Sequence, residues 1–262
     1  MPNKALGQHW LKNREILEQI ADLAITEMDG EIPQAQTCVE IGPGLGFLTS
    51  SLLRRFPEVV AVEFDADLAA KLPQSFPGKN LQVVAQDILK CDFSSVQPPF
   101  VVAGNIPYYL TSPLIRKLLT LDPAPERVVL LIQKEVAERI AATPGKHTFL
   151  SLFAQNYASV TLGPVVPRAE FTPPPKVDSQ VVVLQPHPAI VEPQVLDLVK
   201  IGFSNPRKKL VANLAGGLHL SKEQIKAIFS QLSLNLDARP ADLNLIDWQK
   251  LYKTLVKINH KR

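Results

Sequence analysis

The sequence is poor in the residues that build several large protein classes. Two cysteines in 262 residues, Cys38 and Cys91, exclude a disulfide framework and a Cys-rich zinc module. They do not form a C-x-x-C pair, so a dithiol redox motif is excluded too. No run approaches the ~18 consecutive apolar residues of a membrane-spanning helix. Met1-Pro2-Asn3-Lys4 leads into Gly7, Gln8 and His9 rather than into an apolar signal core, so the expected setting is a reducing cytoplasm. Charge of one sign is also missing: 28 Lys and Arg face 25 Asp and Glu. What remains is an ordinary folded composition, 46% apolar and 20% charged, long enough for one or two domains with a sizeable core.

The distribution of charge is more informative than its sum. Residues 186–262 hold 12 Lys and Arg against 6 Asp and Glu, while residues 1–185 hold 16 against 19. The basic excess lies in the C-terminal third and points to a polyanionic partner there. A solvated helical surface would carry the same bias.

Five short apolar runs recur in the first two thirds: 38–41, 59–64, 81–85, 100–103 and 128–132. Each is rich in Val and Ile, as buried parallel strands are. Helical patterns over 47–56, 67–72, 112–121 and 134–142 lie between or after them. This alternation predicts an α/β fold with a mostly parallel, Rossmann-like sheet. Residues 150–160 read as a helix or a helix running into a strand, and 177–184 as a strand. Phe171-Thr172-Pro173-Pro174-Pro175 cannot be regular structure, because proline fixes φ and lacks the N–H donor. Gln185-Pro186-His187-Pro188 reads as a linker. Helical patterns follow over 194–203, 207–215, 222–232 and 245–258, with a capping box at Ser221–Gln224. The expected organisation is a first domain over 1–186 and a small all-helical domain over 187–262.

The sharpest local feature is Glu40-Ile41-Gly42-Pro43-Gly44-Leu45-Gly46, between a strand and a helix. Glycines there let a ligand approach the backbone. The spacing G-x-G-x-G is not the G-x-G-x-x-G that seats a pyrophosphate on a helix N-terminus. No G-x-x-x-x-G-K-[ST] loop occurs either. Glu63 ends the second strand, about 20 residues past the glycines, where a carboxylate accepts hydrogen bonds from ribose hydroxyls. Asp87 ends the third. Three such features at strand C-termini describe a nucleoside site, and S-adenosylmethionine is the phosphate-free nucleoside cofactor that fits best. No metal is implied.

The fourth strand runs into Gly104-Asn105-Ile106-Pro107-Tyr108-Tyr109. An amine conjugated into a nucleobase ring is a poor nucleophile. Two acceptors on its N–H bonds draw the nitrogen toward a more nucleophilic geometry. Asn105 supplies one, and the Ile106 or Pro107 carbonyl the other. Tyr108 offers a face for an extruded base.

With these motifs in place, the sequence resembles the ribosomal RNA adenine N6-dimethyltransferases of the KsgA type. The resemblance starts at Leu6-Gly7-Gln8-His9-Trp10-Leu11 and continues through Glu40–Gly44, Glu63, Asp87 and Gly104–Tyr108. It closes with Phe171-Thr172-Pro173-Pro174-Pro175-Lys176-Val177-Asp178-Ser179. It implies dimethylation of two adjacent adenosines near the 3′ end of small-subunit rRNA, within an immature subunit, by a monomer. It implies that His9 and Leu11 line the methionine side of the cofactor and that Gly42 and Gly44 lie under it. Glu63 would hold the ribose and Asp87 the adenine amine. Asn105 would contact cofactor and target amine, and Tyr108 and Phe171 would sandwich the flipped adenine. One departure stands out: the family has Asn-Phe where this chain has His9-Trp10. The basic run Arg207-Lys208-Lys209 is expected to contact phosphates, with Arg116 and Lys117 as weaker candidates. Two rival readings are a large-subunit rRNA adenine methyltransferase and a catalytically silent nucleic-acid-binding factor of the same fold.

Overall fold

The computed structural model describes residues 8–28 and 30–259. Leu6 and Gly7 of the N-terminal motif lie outside the described residues. Two compact units divide the chain. The first takes the chain up to Ala137 together with Ala158–His187; the second takes Glu138–Tyr157 and the chain from Pro188 onward.

The first unit is built on a seven-stranded sheet. Its strands are β2 (Thr37–Ile41), β3 (Glu58–Glu63), β4 (Leu81–Ala85), β5 (Phe100–Asn105), β6 (Arg127–Gln133), β7 (Ala158–Val166) and β9 (Ser179–Pro186), in the order β4-β3-β2-β5-β6-β9-β7. A separate two-stranded sheet pairs β1 (Trp10–Leu11) with β8 (Phe171–Thr172) antiparallel. In the large sheet six strands run one way, and β9 alone runs against its neighbours β6 and β7. The architecture is thus the expected Rossmann-like α/β fold, with one reversed strand. Helices α1 (Arg14–Leu23), α2 (Phe47–Leu52), α3 (Ala66–Lys71), α4 (Thr111–Leu118) and α5 (Lys134–Ile140) accompany it.

The central strands form where the apolar runs predict them because both faces are covered. Every residue of β2 is buried, and so is all of β5 up to Asn105. Burying a Val or Ile side chain contributes ~1.5–3 kcal/mol. Helix α1 has no counterpart among the predicted elements. Its start is nonetheless capped: Asn13 accepts the N–H groups of Glu15 and Ile16 at 3.0 and 3.3 Å. Leu17, Ile20 and Ala21 form its buried face.

The sheet order places the ligand-binding end. From β2 the chain winds through β3 to β4, then crosses back to β5 on the other side of β2. Open α/β sheets bind ligands at the carboxyl end of such a switch point. Here that end joins Ile41 to Gly104 in register. A Cβ on Gly104 would lie 2.7 Å from the Ile41 carbonyl oxygen, so only glycine lets the two strand ends close this tightly.

The second unit is helical. It comprises α6 (Phe149–Tyr157), α7 (Pro193–Gly202), α8 (Leu210–Leu218), α9 (Lys222–Gln231) and α10 (Leu245–Asn259). Its core gathers Leu198, Leu214, Ile225, Phe229, Trp248 and Leu251. The capping box at Ser221 is formed: Gln224 N–H donates to Ser221 Oγ, and Ser221 N–H donates to Gln224 Oε1. The expectation of an unbroken first domain over 1–186 is corrected in one respect. Helix α6 belongs to the second unit, because Leu152 is buried in that core and Phe149, Phe153 and Tyr157 pack against it. Buried Asn156 also pairs with the backbone of Val191, donating to its carbonyl at 3.2 Å and accepting its N–H at 2.7 Å. A boundary read along the sequence cannot register a helix that folds with residues 40 positions away. No described helix is long and apolar enough to cross a membrane.

Candidate active site

A cavity of about 400 Å³ opens at the switch point. Its lining includes His9, Trp10, Leu11, Glu40, Gly42, Gly44, Glu63, Asp87, Asn105, Pro107 and Tyr108. Residues spread over 100 positions in the chain meet there because β2, β3, β4 and β5 all end on the same side.

The glycine turn comes first. Gly42, Gly44 and Gly46 have φ of 66°, 56° and 83°, the left-handed region that disfavours any side chain. Gly42 N–H donates to the Val62 carbonyl at 2.9 Å. A Cβ on Gly44 would lie 3.4 Å from Trp10 Nε1, so the indole edge closes over the bare backbone.

Glu63 braces this turn. Its Oε2 accepts Gly44 N–H at 3.0 Å and its Oε1 accepts Asp65 N–H at 2.9 Å. Burial pushes its carboxyl above the ordinary range, although the N–H groups of Asp65 and Gly44 favour the charged form. Each carboxylate oxygen can accept a second hydrogen bond, so vicinal hydroxyls fit here. Asp87 sits on a tight turn where its Oδ1 accepts Leu89 N–H at 2.9 Å.

Glu40 stands at the head of the glycine motif in the sequence, but no role in the site is read for it there. It is fully buried at the cavity wall, and its Oε2 has no hydrogen-bond partner. Burial pushes its carboxyl up to about 8, and the charge on Glu63 adds to the shift. Trp10 Nε1 is a second buried polar atom without a partner in this wall. Buried polar atoms left unpaired beside a cavity call for a partner. Three carboxyl groups, one indole donor and a bare glycine turn fit a cationic, hydroxyl-bearing nucleoside better than a phosphate.

The Asn105 side of the cavity is held by long-range contacts. Asn105 Nδ2 donates to the His9 carbonyl at 3.0 Å, which leaves Oδ1 as the acceptor for another group. His9 is fixed in turn: its Nδ1 donates to the Pro173 carbonyl at 2.7 Å, and its ring stacks on Tyr108 at 6.0 Å and 22°. The Tyr108 hydroxyl meets Ser179 Oγ at 2.9 Å. Burial raises the Tyr108 phenol, so it stays protonated. Ser179 opens the reversed strand β9. It stands in the Pro-rich motif, but nothing in the sequence marks it as the anchor of Tyr108. Pro107 stiffens the turn, and its carbonyl accepts Leu110 N–H at 3.0 Å.

Phe171 departs from expectation. It is 3% exposed and packs in the first unit's core with Leu11, Val166 and Val181. Pairing of β8 with β1 sets Phe171 opposite Leu11, and it does not line the cavity. In this structure it packs in the core, outside the lining of this cavity.

The basic residues divide. Arg207, Lys208 and Lys209 are exposed in the second unit, on a turn before α8 and not in the helix expected from 207. Asn213 Nδ2 orders that turn by donating to the carbonyls of Gly202 and Asn205 at 2.6 and 2.8 Å. Lys209 Nζ pairs with Asp237 at 2.5 Å, an exposed contact of small energetic weight. Arg116 is exposed, whereas Lys117 donates to the backbone beside Asp87 and is not the phosphate contact expected of it.

The chain is similar to known proteins over nearly its whole length. The family described as ribosomal RNA adenine dimethylase matches residues 2–257. The ribosomal RNA small subunit methyltransferase A of Thermosynechococcus vestitus is 40% identical, with 96% of each chain covered. That of Dehalococcoides mccartyi strain 195 is 34% identical over 95% of this chain and 86% of its own. A solved dimethyladenosine transferase from Plasmodium falciparum superposes with a TM-score of 0.77 at 30% identity, covering 95% of this chain and 98% of its own. The 23S rRNA methyltransferase ErmE superposes at 0.73 with 26% identity, covering 94% and 99%. The glycine turn, the acidic strand ends and the Asn-x-Pro-Tyr turn thus stand within a match that runs nearly end to end, and the chain belongs to the ribosomal RNA adenine dimethylase family.

Proposed function

We propose that this chain is an S-adenosylmethionine-dependent methyltransferase that dimethylates N6 of two adjacent adenosines near the 3′ end of small-subunit rRNA. Its substrate is the RNA within an immature ribosomal subunit, its setting is the cytoplasm, and it acts as a monomer. Family membership and the full-length relatives named as small subunit methyltransferases support this reading over a large-subunit target. An intact glycine turn with Glu63, Asp87 and Asn105 counts against a silent binding factor.

The observation that carries the chemistry is the Asn105 side chain, whose N–H is committed to the His9 carbonyl. That contact fixes the amide and leaves Oδ1 as its acceptor. Asn105 Oδ1 and the Ile106 carbonyl take the two N–H groups of the target amine. The Pro107 carbonyl is the poorer candidate, since it already accepts Leu110 N–H. Holding both N–H groups concentrates the nitrogen lone pair along the remaining direction. The bound cofactor supplies an electrophilic methyl group on a sulfonium. Glu63 holds the ribose, Asp87 the adenine amine, and Leu11 and His9 border the amino-acid end. Tyr108, pinned through its hydroxyl, is the stacking face for the flipped base. The rate enhancement comes from positioning and fixed dipoles. The exposed turn at Arg207 and Lys208 meets phosphates of the RNA.

Incubating the protein with methyl-labelled cofactor and unmodified small subunits, large subunits or DNA tests the reading. Label in N6,N6-dimethyladenine of small subunits alone is the expected result. Label in large subunits, or RNA binding without label in any substrate, would overturn it.

A further inference from the structure

One cation lies next to the cavity without lining it. Lys117, in the last turn of α4, points its Nζ at three backbone carbonyls: Ile88 at 2.9 Å, Leu89 at 3.1 Å and Cys91 at 2.5 Å. The same Nζ lies 5.4 Å from the centroid of Phe93. An ammonium has three N–H donors, and here each has a carbonyl within reach. Phe93 is buried, and its ring stacks on Phe100 of β5 at 6.1 Å.

The loop so gripped is the one that presents Asp87. Asp87, Ile88 and Leu89 all line the cavity. Asp87 also accepts Leu89 N–H through Oδ1, and its carbonyl accepts Lys90 and Cys91 N–H at 2.9 Å each. These local bonds shape the turn; Gln86 N–H ties its start to the Glu63 carbonyl at 2.9 Å, and Ile88 is buried. Lys117 connects it to α4, whose first turn follows directly on Asn105–Leu110. On the side away from β3 no strand supports the loop, because β4 is an edge strand. None of its five residues is fully buried.

We propose that Lys117 is a positioning residue for cofactor recognition, holding the 88–91 loop so that the Asp87 carboxylate meets the 6-amino group of the cofactor's adenine. This rests on the proposed role of Asp87. The ammonium neutralises converging carbonyl dipoles that would otherwise repel one another, and it fixes the turn relative to the catalytic strand end. The requirement is for a compact cation with three donors. A guanidinium is larger and planar and spreads its donors in a fork, so it fits a cage built around one nitrogen less well.

Binding calorimetry with two probes tests this on the full chain: S-adenosylhomocysteine and its 6-oxo counterpart S-inosylhomocysteine. An acceptor aimed at an amine rejects the oxo analogue, so the wild type should prefer the adenine form by about a hundredfold. Asp87→Asn should lose that preference, which checks the reading beneath the proposal. Lys117→Met keeps the apolar stem over Phe93 but removes the donors. It should bind S-adenosylhomocysteine roughly tenfold more weakly, and its preference should shrink to about tenfold or less. Lys117→Arg should recover only part of the preference. A merely structural lysine would weaken both probes equally and leave their ratio alone. A folded Lys117→Met with the wild-type ratio overturns the proposal while leaving Asp87 in place. A wild type without preference, or an Asp87→Asn that keeps it, overturns the Asp87 reading and this proposal with it. If Lys117→Met does not fold, Phe93→Leu decides: removing the ring beneath the cation should lower the ratio about threefold, and an unchanged ratio overturns the proposal.

Discussion

The Asn105 turn in the first unit and the Arg207–Lys209 turn in the second are both short connections leading into a helix. They are ordered by opposite means. The first is held by contacts between residues 71 to 164 positions apart: Asn105 to His9, His9 to Pro173, Tyr108 to Ser179. The second is closed locally, by Asn213 on the carbonyls of Gly202 and Asn205, and its cations stand in solvent. A site that must aim one acceptor at one atom needs partners that leave its side chain a single orientation. A surface that meets a polyanion needs charge and a shape, and tolerates mobile side chains. Chemistry and RNA affinity should therefore fail separately.

Asn105→Ala should break the contrast most strongly. Loss of the acceptor and of its tie to His9 should lower methyl transfer by ~10³-fold or more, with RNA affinity within about twofold of wild type. Single-turnover rates and filter binding on the same preparation check this, and a parallel loss of both would show that the turn also carries RNA. Arg207→Ala with Lys208→Ala should do the reverse. Affinity at low salt should fall roughly tenfold, and the slope of log K against log salt should become shallower by about 1–2, while turnover at saturating RNA persists. An unaltered slope would move the phosphate contact elsewhere. Ser179→Ala sharpens the comparison from within the first unit. Freeing the Tyr108 hydroxyl should cost ~1 kcal/mol, or about fivefold in turnover, with RNA affinity unaffected in a titration.

Two smaller effects concern the fold itself. Glu40 is neutral in the folded protein up to about pH 8 and ionised in the unfolded chain above its ordinary value of 4.5. The folded state thus holds the extra proton between these values, and stability falls as pH rises through that window. Glu40→Gln removes the term. The variant should gain about 5 °C in melting temperature relative to wild type at pH 8 and little at pH 4.5. Equal gains at both values would mean that Glu40 is ionised in the fold. Lys209→Ala breaks only the exposed pair with Asp237, so thermal unfolding should register less than about 0.5 kcal/mol.

The elements legible in the sequence are those with a strong local signature. The five parallel strands begin and end within about two residues of their apolar runs, because Val, Ile and Leu dominate them, even in β2 with its Glu40 and in the half-buried edge strand β4. The glycine turn, Glu63, Asp87 and Asn105 were legible for a related reason: each follows directly on one of those strands. Helix α1 was missed although Asn13 caps it and Leu17, Ile20 and Ala21 recur at helical spacing, because it precedes the alternation of strand and helix. The pairing of β9 between β6 and β7 was not legible either. Nothing in Val181-Val182-Val183-Leu184 states which neighbour it will take, or that it will run against it.

The site's supports were hidden for the same reason. Ser179, Glu40 and Lys117 look like an ordinary strand serine, a strand glutamate and a helix lysine. Lys117 even reads as a phosphate contact, because a cation in a sequence carries no record of what it faces. Phe171 reads as an aromatic wall ahead of a rigid proline run, yet pairing of β8 with β1 turns it into the core.

By itself, then, the chain order of apolar runs and turn residues determined the sheet, the glycine turn and the acids at its strand ends, since burial and backbone preference act over a few neighbouring residues. Tertiary structure alone decided which oxygen of which side chain is left over: that Asn105 gives its N–H to His9, that Glu40 keeps an unpaired oxygen in the cavity wall, and that Lys117 grips the Asp87 loop. Hydrogen bonds are directional and short. Their partners here lie 26 to 164 residues apart, so only the folded chain could bring them within 3 Å.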